Sequence, residues 1–403
     1  MSLVNYALKV LMDLIAIRTI ASPGENYTEA VDYMENELTN LGLGVKVIEV
    51  PRAKVREYYP EWSDYPRYIV LAEQCDSGGV KLHFNAHYDV VPGGDGWLVT
   101  EPFKPILING RVYGRGASDD KGGVTSLILL AKRIGELREF NGCVELSFTP
   151  DEEVGGFTGV NYLLGSITRP DYAVVAEPTG LGVIWVGSMG MVQLDVVIRG
   201  VPAHASQPQL GVNAFEDGVK VAYAIITGLK GGIEGRSYMG ERAVMTLGGF
   251  VKGGLSRNIV PDYFSFSIDR RLLPNEDVDE SIREIMDYIK EIRGKFSVRS
   301  AVDVYVINAI DAALNREDSM LVKGLVKAIG NVVHLSPKLM VSRTPVDTRY
   351  FQRLGVDAVT YGPGDLSSAH GPDEYISVDD IIKASEVYLR LIDIMLNDRT
   401  MPH

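Results

Sequence analysis

His87, Asp119, Glu153, Glu177 and His370 each lie in a short polar motif next to glycines or an apolar, strand-like run. Two histidines and three carboxylates are the ligand types that hold zinc in an open site, with room left for water or substrate. Five such residues could bind two divalent cations that share one carboxylate. Glu152, beside Glu153, would then be free to act as a base.

Each residue has a plainer explanation that must be weighed. An isolated His87 at a strand end would be a satisfied core histidine, but Asp89 stands two residues on. A carboxylate there can accept the second ring N–H and fix the tautomer. His83, on the same strand face, lacks such a neighbour and reads as packing. The Gly114-Arg-Gly116 turn before Asp119 invites a dinucleotide-loop reading, but the third glycine of that fingerprint is missing. Asp119, Asp120 and Lys121 are three ionisable residues in a row, costly beside a buried strand end unless a cation compensates them, so Asp119 reads as a bridging ligand. Asp151, Glu152 and Glu153 follow an apolar strand and precede Gly155 and Gly156. Three adjacent carboxylates repel one another unless metal neutralises them.

The elements that position these residues follow from periodicity. Apolar Val4, Leu8, Leu11, Leu14 and Ile15 recur at helical spacing over residues 4–17. Thr28 is placed to cap a second helix that ends at Gly42. Strand-like runs at 45–50, 68–72, 80–86, 144–148 and 172–176, with a helix over 123–133, argue for an α/β domain with a largely parallel sheet. Ligands of such sheets gather at the carboxyl ends of strands, where His87, Glu152, Glu153 and Glu177 fall. Residues 189–307 change pattern to β-α-β-β-α-β, a ferredoxin-like order. The expected organisation is a catalytic domain of residues 1–188 and 308–403 with that α+β domain inserted. Residues 51–67, rich in aromatics without a period, read as a packed surface loop.

With 40 Lys plus Arg against 53 Asp plus Glu, the net charge of −13 repels phosphate backbones and anionic lipids, so neither nucleic acid nor membrane is an expected partner. No run of about 18 apolar residues and no signal-like start occurs, and a cytoplasmic location is expected. Cys75 and Cys143 lie in or beside apolar runs and are expected to be two buried thiols.

These motifs resemble the M20 family of co-catalytic metallohydrolases, which includes acetylornithine deacetylase, succinyl-diaminopimelate desuccinylase and glutamate carboxypeptidase. The likeness runs through nearly the whole chain. It implies two Zn2+ per subunit, with Co2+ or Mn2+ as alternatives. His87 and Glu177 would hold one ion, Glu153 and His370 the other, and Asp119 would bridge them. Glu152 would be the general base, with Asp89 orienting His87 and a cis peptide between Asp119 and Asp120. His204, in Gly200-Val-Pro-Ala-His204-Ala-Ser206, is similar to the family's transition-state histidine, which often reaches in from a neighbouring subunit of a homodimer. Met191 to Ile198 is the edge strand on which such a dimer would form. Asn258 and Arg271 match lid positions that hold a substrate carboxylate, and Gly362 matches a substrate-binding turn. Where many members carry Gly-Gly-Thr-Asp-Ala-Arg, this chain has Thr344-Pro345-Val346 before Asp347 and Arg349, a stiffer loop. Glu rather than Asp at position 177 goes, within the family, with deacylases and carboxypeptidases. The implied reaction is amide hydrolysis of an N-acyl amino acid, with a carboxypeptidase or dipeptidase acting on small peptides as the alternative.

Overall fold

The computed structural model describes residues 1–76, 79–137 and 140–397. The chain forms two compact units: Met1–Val186 with Asn315–Met340 and Val346–His403, and Gly187–Leu314 with Val341–Pro345.

The first unit is built on a sheet whose strands run in the order Gly44–Glu49, Tyr68–Cys75, Gly142–Thr149, Val80–His87, Tyr172–Val175, Asp357–Thr360 and Val183–Ser188. The four strands from Gly142–Thr149 to Asp357–Thr360 are parallel, while the flanking pairs are antiparallel. The sheet is therefore mixed, where the sequence suggested a largely parallel one. Helices Leu3–Ala16, Lys121–Ile134 and Val378–Asn397 pack together beside the sheet, burying Leu11, Leu14, Leu127, Leu130, Leu391 and Ile392. Parallel strands covered on both faces carry long apolar runs. The strand Val80–His87 departs from that rule, because His83 and Asn85 meet Glu145, Ser147 and Thr149 of the neighbouring strand. His83 is a satisfied core histidine.

Three local expectations give way. The second helix, Tyr27–Asn40, starts after Asn26 in a left-handed conformation, and Thr28 lies inside it. Residues 51–67 are not a plain loop: they contain the helix Arg52–Tyr58 and a 3-10 turn at Pro60–Trp62. Cys75 and Cys143 are directly opposite each other in an antiparallel pair and form a disulfide, not two buried thiols. The strand ends that hold them are partly exposed, so packing does not seal them.

In the second unit the four-stranded sheet runs Val244–Gly253, Tyr263–Leu272, Gly190–Arg199, Ala301–Ile310, antiparallel throughout. Helices Ala214–Ala224 and Val278–Lys295 cover one face, packing Val221, Ile285 and Ile289 on Val192, Leu194, Val196 and Ile198. The chain order is β-α-β-β-α-β. Met191 to Ile198 is an interior strand, not an edge, because the last strand returns beside it. The edges are Val244–Gly253 and Ala301–Ile310.

Candidate metal centre

Parallel pairing places His87 at a strand end, Glu152 and Glu153 just beyond Gly142–Thr149, and Glu177 just beyond Tyr172–Val175. His87 Nε2 lies 3.0 Å from Asp119 Oδ1 and 3.8 Å from Glu177 Oε1. His370 Nε2 lies 3.3 Å from Asp119 Oδ2 and 3.0 Å from Glu153 Oε2. The two oxygens of Asp119 thus face different histidines, as a bridging carboxylate requires. Within each triad, His87–Asp119–Glu177 and Asp119–Glu153–His370, the ligand atoms lie within 4.8 Å of one another. Ligands bound at about 2.0–2.2 Å stand roughly 3.3–3.6 Å apart around a tetrahedral ion. The donor set fits two cations on a second ground: Glu177 Oε1 is buried without a hydrogen-bond partner.

Each ligand is held from behind. His87 Nδ1 is 3.0 Å from the Asp89 carbonyl, so an Nδ1–H donor leaves the Nε2 lone pair for metal. The Asp89 carboxylate, 3.5 Å from the ring, instead accepts the backbone N–H groups of Glu152 and Glu153, each at 3.2 Å. It holds the loop of Glu152 and Glu153 more directly than the imidazole. Asp120 accepts from His87 N and caps the helix Lys121–Ile134 through Gly123 N. Lys121 Nζ donates to the Leu14 and Ile17 carbonyls at the end of the first helix. The Asp119–Asp120 peptide is cis.

The loop of Glu152 and Glu153 has its own anchors. Asp151, at φ 64°, is gripped by Arg67 Nε at 2.6 Å, Tyr27 Oη at 2.9 Å and Thr158 Oγ1. The Tyr59 hydroxyl donates to the Val154 carbonyl, while Arg349 and the Tyr350 hydroxyl both donate to that of Gly155. Phe157 stacks on Tyr58. The aromatic segment is therefore a buttress for the loop that carries Glu152.

Burial pushes the Glu152 and Glu177 carboxyls well above the usual range, with Asp347 adding to the effect on Glu152. Burial and Asp119 bring Glu153 up to about 7. Asp119 itself is held low, because hydrogen bonds from His370 and His87 outweigh its burial. Those to Asp119 and Glu153 hold His370 up to about 10. Buried carboxylates that oppose one another's ionisation form a cluster that divalent cations stabilise.

This fold and centre define a metal-dependent hydrolase. Residues 83–394 match Peptidase family M20/M25/M40, and the chain belongs to that family. It is 26% identical to an uncharacterised metallohydrolase of Methanocaldococcus jannaschii, over 97% of this chain and 100% of that protein. It is 27% identical to succinyl-diaminopimelate desuccinylase of Nautilia profundicola, over 78% of this chain and 84% of that one. A tripeptidase from Staphylococcus aureus has the same fold, with a TM-score of 0.79 and 20% identity over 97% of this chain and 98% of that one.

The remaining sequence candidates divide between the units. His204 and Asn258 lie together in the second unit: His204 pairs with Ile259, and Ala205 N donates to the Asn258 carbonyl. Both are exposed, and His204 Nδ1 is 2.7 Å from Ser206 Oγ. Arg271 forks onto Asp269 at 2.8 and 3.3 Å, whereas Arg270 is buried against Glu276 and Glu284. Gly362, in the first unit, packs so closely on the Glu177 backbone that a Cβ would stand 2.6 Å from its carbonyl. Sequence reasoning missed Asp120, the Asp151 anchor, Asp347 and the pair Arg115 and Glu374. For Asp120, Asp151, Arg115 and Glu374 the signal was an ionisable residue beside glycine or within four positions of a candidate ligand; Asp347 carried no such signal.

Proposed function

We propose that this chain hydrolyses the amide bond of an N-acyl amino acid bearing a free carboxylate, releasing a small acyl group such as acetyl or succinyl. The observation that carries this reading is Asp119 shared between two ligand triads, with Glu152 alongside on an anchored loop. Two Zn2+ ions, when bound, polarise a carbonyl and acidify water. Glu152 takes the proton of the attacking water and delivers it to the leaving amine as the C–N bond breaks. His204 steadies the charge developing on the carbonyl oxygen. Asp269 aligns the Arg271 guanidinium, which with Asn258 receives the substrate carboxylate. Gly362 supports the substrate turn and Glu177 together. The desuccinylase relative favours a deacylase, while Glu at position 177 speaks for a deacylase or carboxypeptidase over an aminopeptidase.

The reading includes a homodimer through the second unit, with His204 acting in the partner's site. In its support, helix Ala214–Ala224 and its continuation expose Phe215, Val219, Tyr223 and Ile226, and the edge strand Ala301–Ile310 exposes Tyr305, Val306 and Ile307. Mixing inactive His204→Ala with inactive Glu152→Gln under subunit exchange should restore activity; a dead mixture assigns His204 to its own subunit. Among the described residues no helix is long and apolar enough to cross a membrane. A cytoplasmic location belongs to this reading, and the Cys75–Cys143 bridge bears against it outside hyperthermophiles. A panel of N-acetyl amino acids, N-succinyl amino acids and dipeptides with Zn2+, Co2+ or Mn2+ tests the reaction. Turnover confined to the dipeptides replaces the deacylase with a carboxypeptidase or dipeptidase.

A further inference from the structure

Glu374 follows His370 by four residues and is 1% exposed. The strand that follows it, Tyr375–Ser377, pairs antiparallel with Arg111–Tyr113, and Tyr375 lies opposite Tyr113. That register carries Glu374 alongside the Gly114 turn, where its carbonyl accepts Gly114 N at 2.9 Å. Its carboxylate then accepts four hydrogen bonds. Oε2 takes Arg115 Nη1 at 2.6 Å and Gly116 N at 3.0 Å, and Oε1 takes Ser118 N at 2.8 Å and Asp119 N at 3.0 Å. Arg115, equally buried, spends its other terminal nitrogen on the carbonyls of His370, at 3.1 Å, and Gly93, at 3.2 Å. Its guanidinium lies over the Trp97 ring, 5.4 Å from the centroid.

The two triads differ in what else holds them. His87 and Glu177 follow adjacent parallel strands, and Ala176 N donates to the Asn85 carbonyl at 2.7 Å, so the sheet ladder fixes one relative to the other. His87 is also fully enclosed. The His370 side chain is 53% exposed, and its backbone is at φ 61°, a conformation L side chains rarely adopt. Packing cannot aim that imidazole, so its main chain must. Arg115 holds that main chain, and Glu374 holds Arg115 together with the backbone of the bridging Asp119.

We propose that the buried Arg115–Glu374 pair is the positioning device of the second metal position, holding the Asp119 carboxylate and the His370 ring in register across a sequence separation of 251 residues (370 − 119). It sets the affinity of the Asp119–Glu153–His370 position and leaves His87–Asp119–Glu177 nearly unchanged. In that first position the sheet and the Asp120 bond to His87 N still place two of the three donors, His87 and Glu177. This inference rests on the two-metal reading but not on the substrate.

The test is a Zn2+ titration of the metal-stripped protein against a chromophoric chelator. Glu374→Gln keeps the volume but turns an amide N–H2 toward backbone N–H groups. Arg115→Lys keeps the charge but cannot bond Glu374 and the His370 carbonyl together. Both should bind the first equivalent within about threefold of the unaltered chain and the second roughly 10–100-fold more weakly, the usual effect of disturbing what orients a ligand. Equal weakening of both equivalents, or an unchanged second one, overturns the proposal. If one variant fails to fold, as judged by circular dichroism, the other decides. If neither folds, the pair is a fold determinant and the proposal falls. An unaltered chain that takes up a single equivalent sinks the two-metal reading itself, a distinguishable result.

Discussion

Glu152→Gln isolates the base from the metal centre. Glutamine matches glutamate in size, and the bond from residue 152 N to Asp89 Oδ1 is a backbone bond that the change leaves in place. The loop keeps its other anchors at Asp151, Val154 and Gly155. Glu152 is not among the five candidate ligand residues. Removing its charge relieves Glu177 of a neighbour that opposes ionisation, so metal affinity should not fall. What is lost is the proton acceptor. A positioned general base contributes roughly 10²–10⁴-fold, and at about 1.36 kcal/mol per decade that is about 2.7–5.4 kcal/mol of barrier. The assay is kcat and KM on the best substrate of the panel, with zinc content measured on the same sample. The expected result is two equivalents of metal, KM within a few-fold, and kcat down by at least 10². Turnover within tenfold of the unaltered enzyme refutes the role, and loss of metal along with activity makes Glu152 a ligand instead.

Asp119→Ala should lose metal from both positions, since each triad depends on one of its oxygens; two retained equivalents by elemental analysis contradict the bridge. The Glu145 carboxyl is opposed by burial, but hydrogen bonds from His83, Lys81 and Thr168 outweigh it and hold the group at about 2 instead of 4.5. A carboxyl held low stabilises the fold above its unfolded value and loses that contribution as pH falls through its folded one. The stability gap between the unaltered protein and Glu145→Gln, from urea unfolding of metal-stripped samples, should therefore narrow from pH 6 to pH 3; a constant or wider gap contradicts it. The Cys75–Cys143 bridge spans 68 residues, and reducing it should cost about 2–4 kcal/mol of stability. Two thiols titrating in untreated, denatured protein would show that the bridge does not form.

The five candidate ligands could be read from the sequence because His87, Glu153 and Glu177 end or follow apolar strands, while Asp119 and His370 sit in turns beside glycine. The supports could not. Arg115 and Glu374 are 259 residues apart, and only the pairing of two three-residue strands, too short to show a period, brings them together. Cys75 and Cys143 meet through strand register, which hydropathy does not encode. Met191 to Ile198 looks like an edge in chain order but becomes central when Ala301–Ile310 inserts beside it. Spacing places Asp89 beside the His87 ring, where its carbonyl lies 3.0 Å from Nδ1, but it does not show that the carboxylate also holds the loop of Glu152.

The most direct test of the whole account is activity against metal loading. Metal-stripped protein is titrated with Zn2+ while hydrolysis of an N-acetyl or N-succinyl amino acid is followed. Turnover should be absent without metal, and the rate should saturate at two equivalents per chain. Saturation at one equivalent, or no hydrolysis of any N-acyl amino acid or dipeptide at full loading, contradicts it.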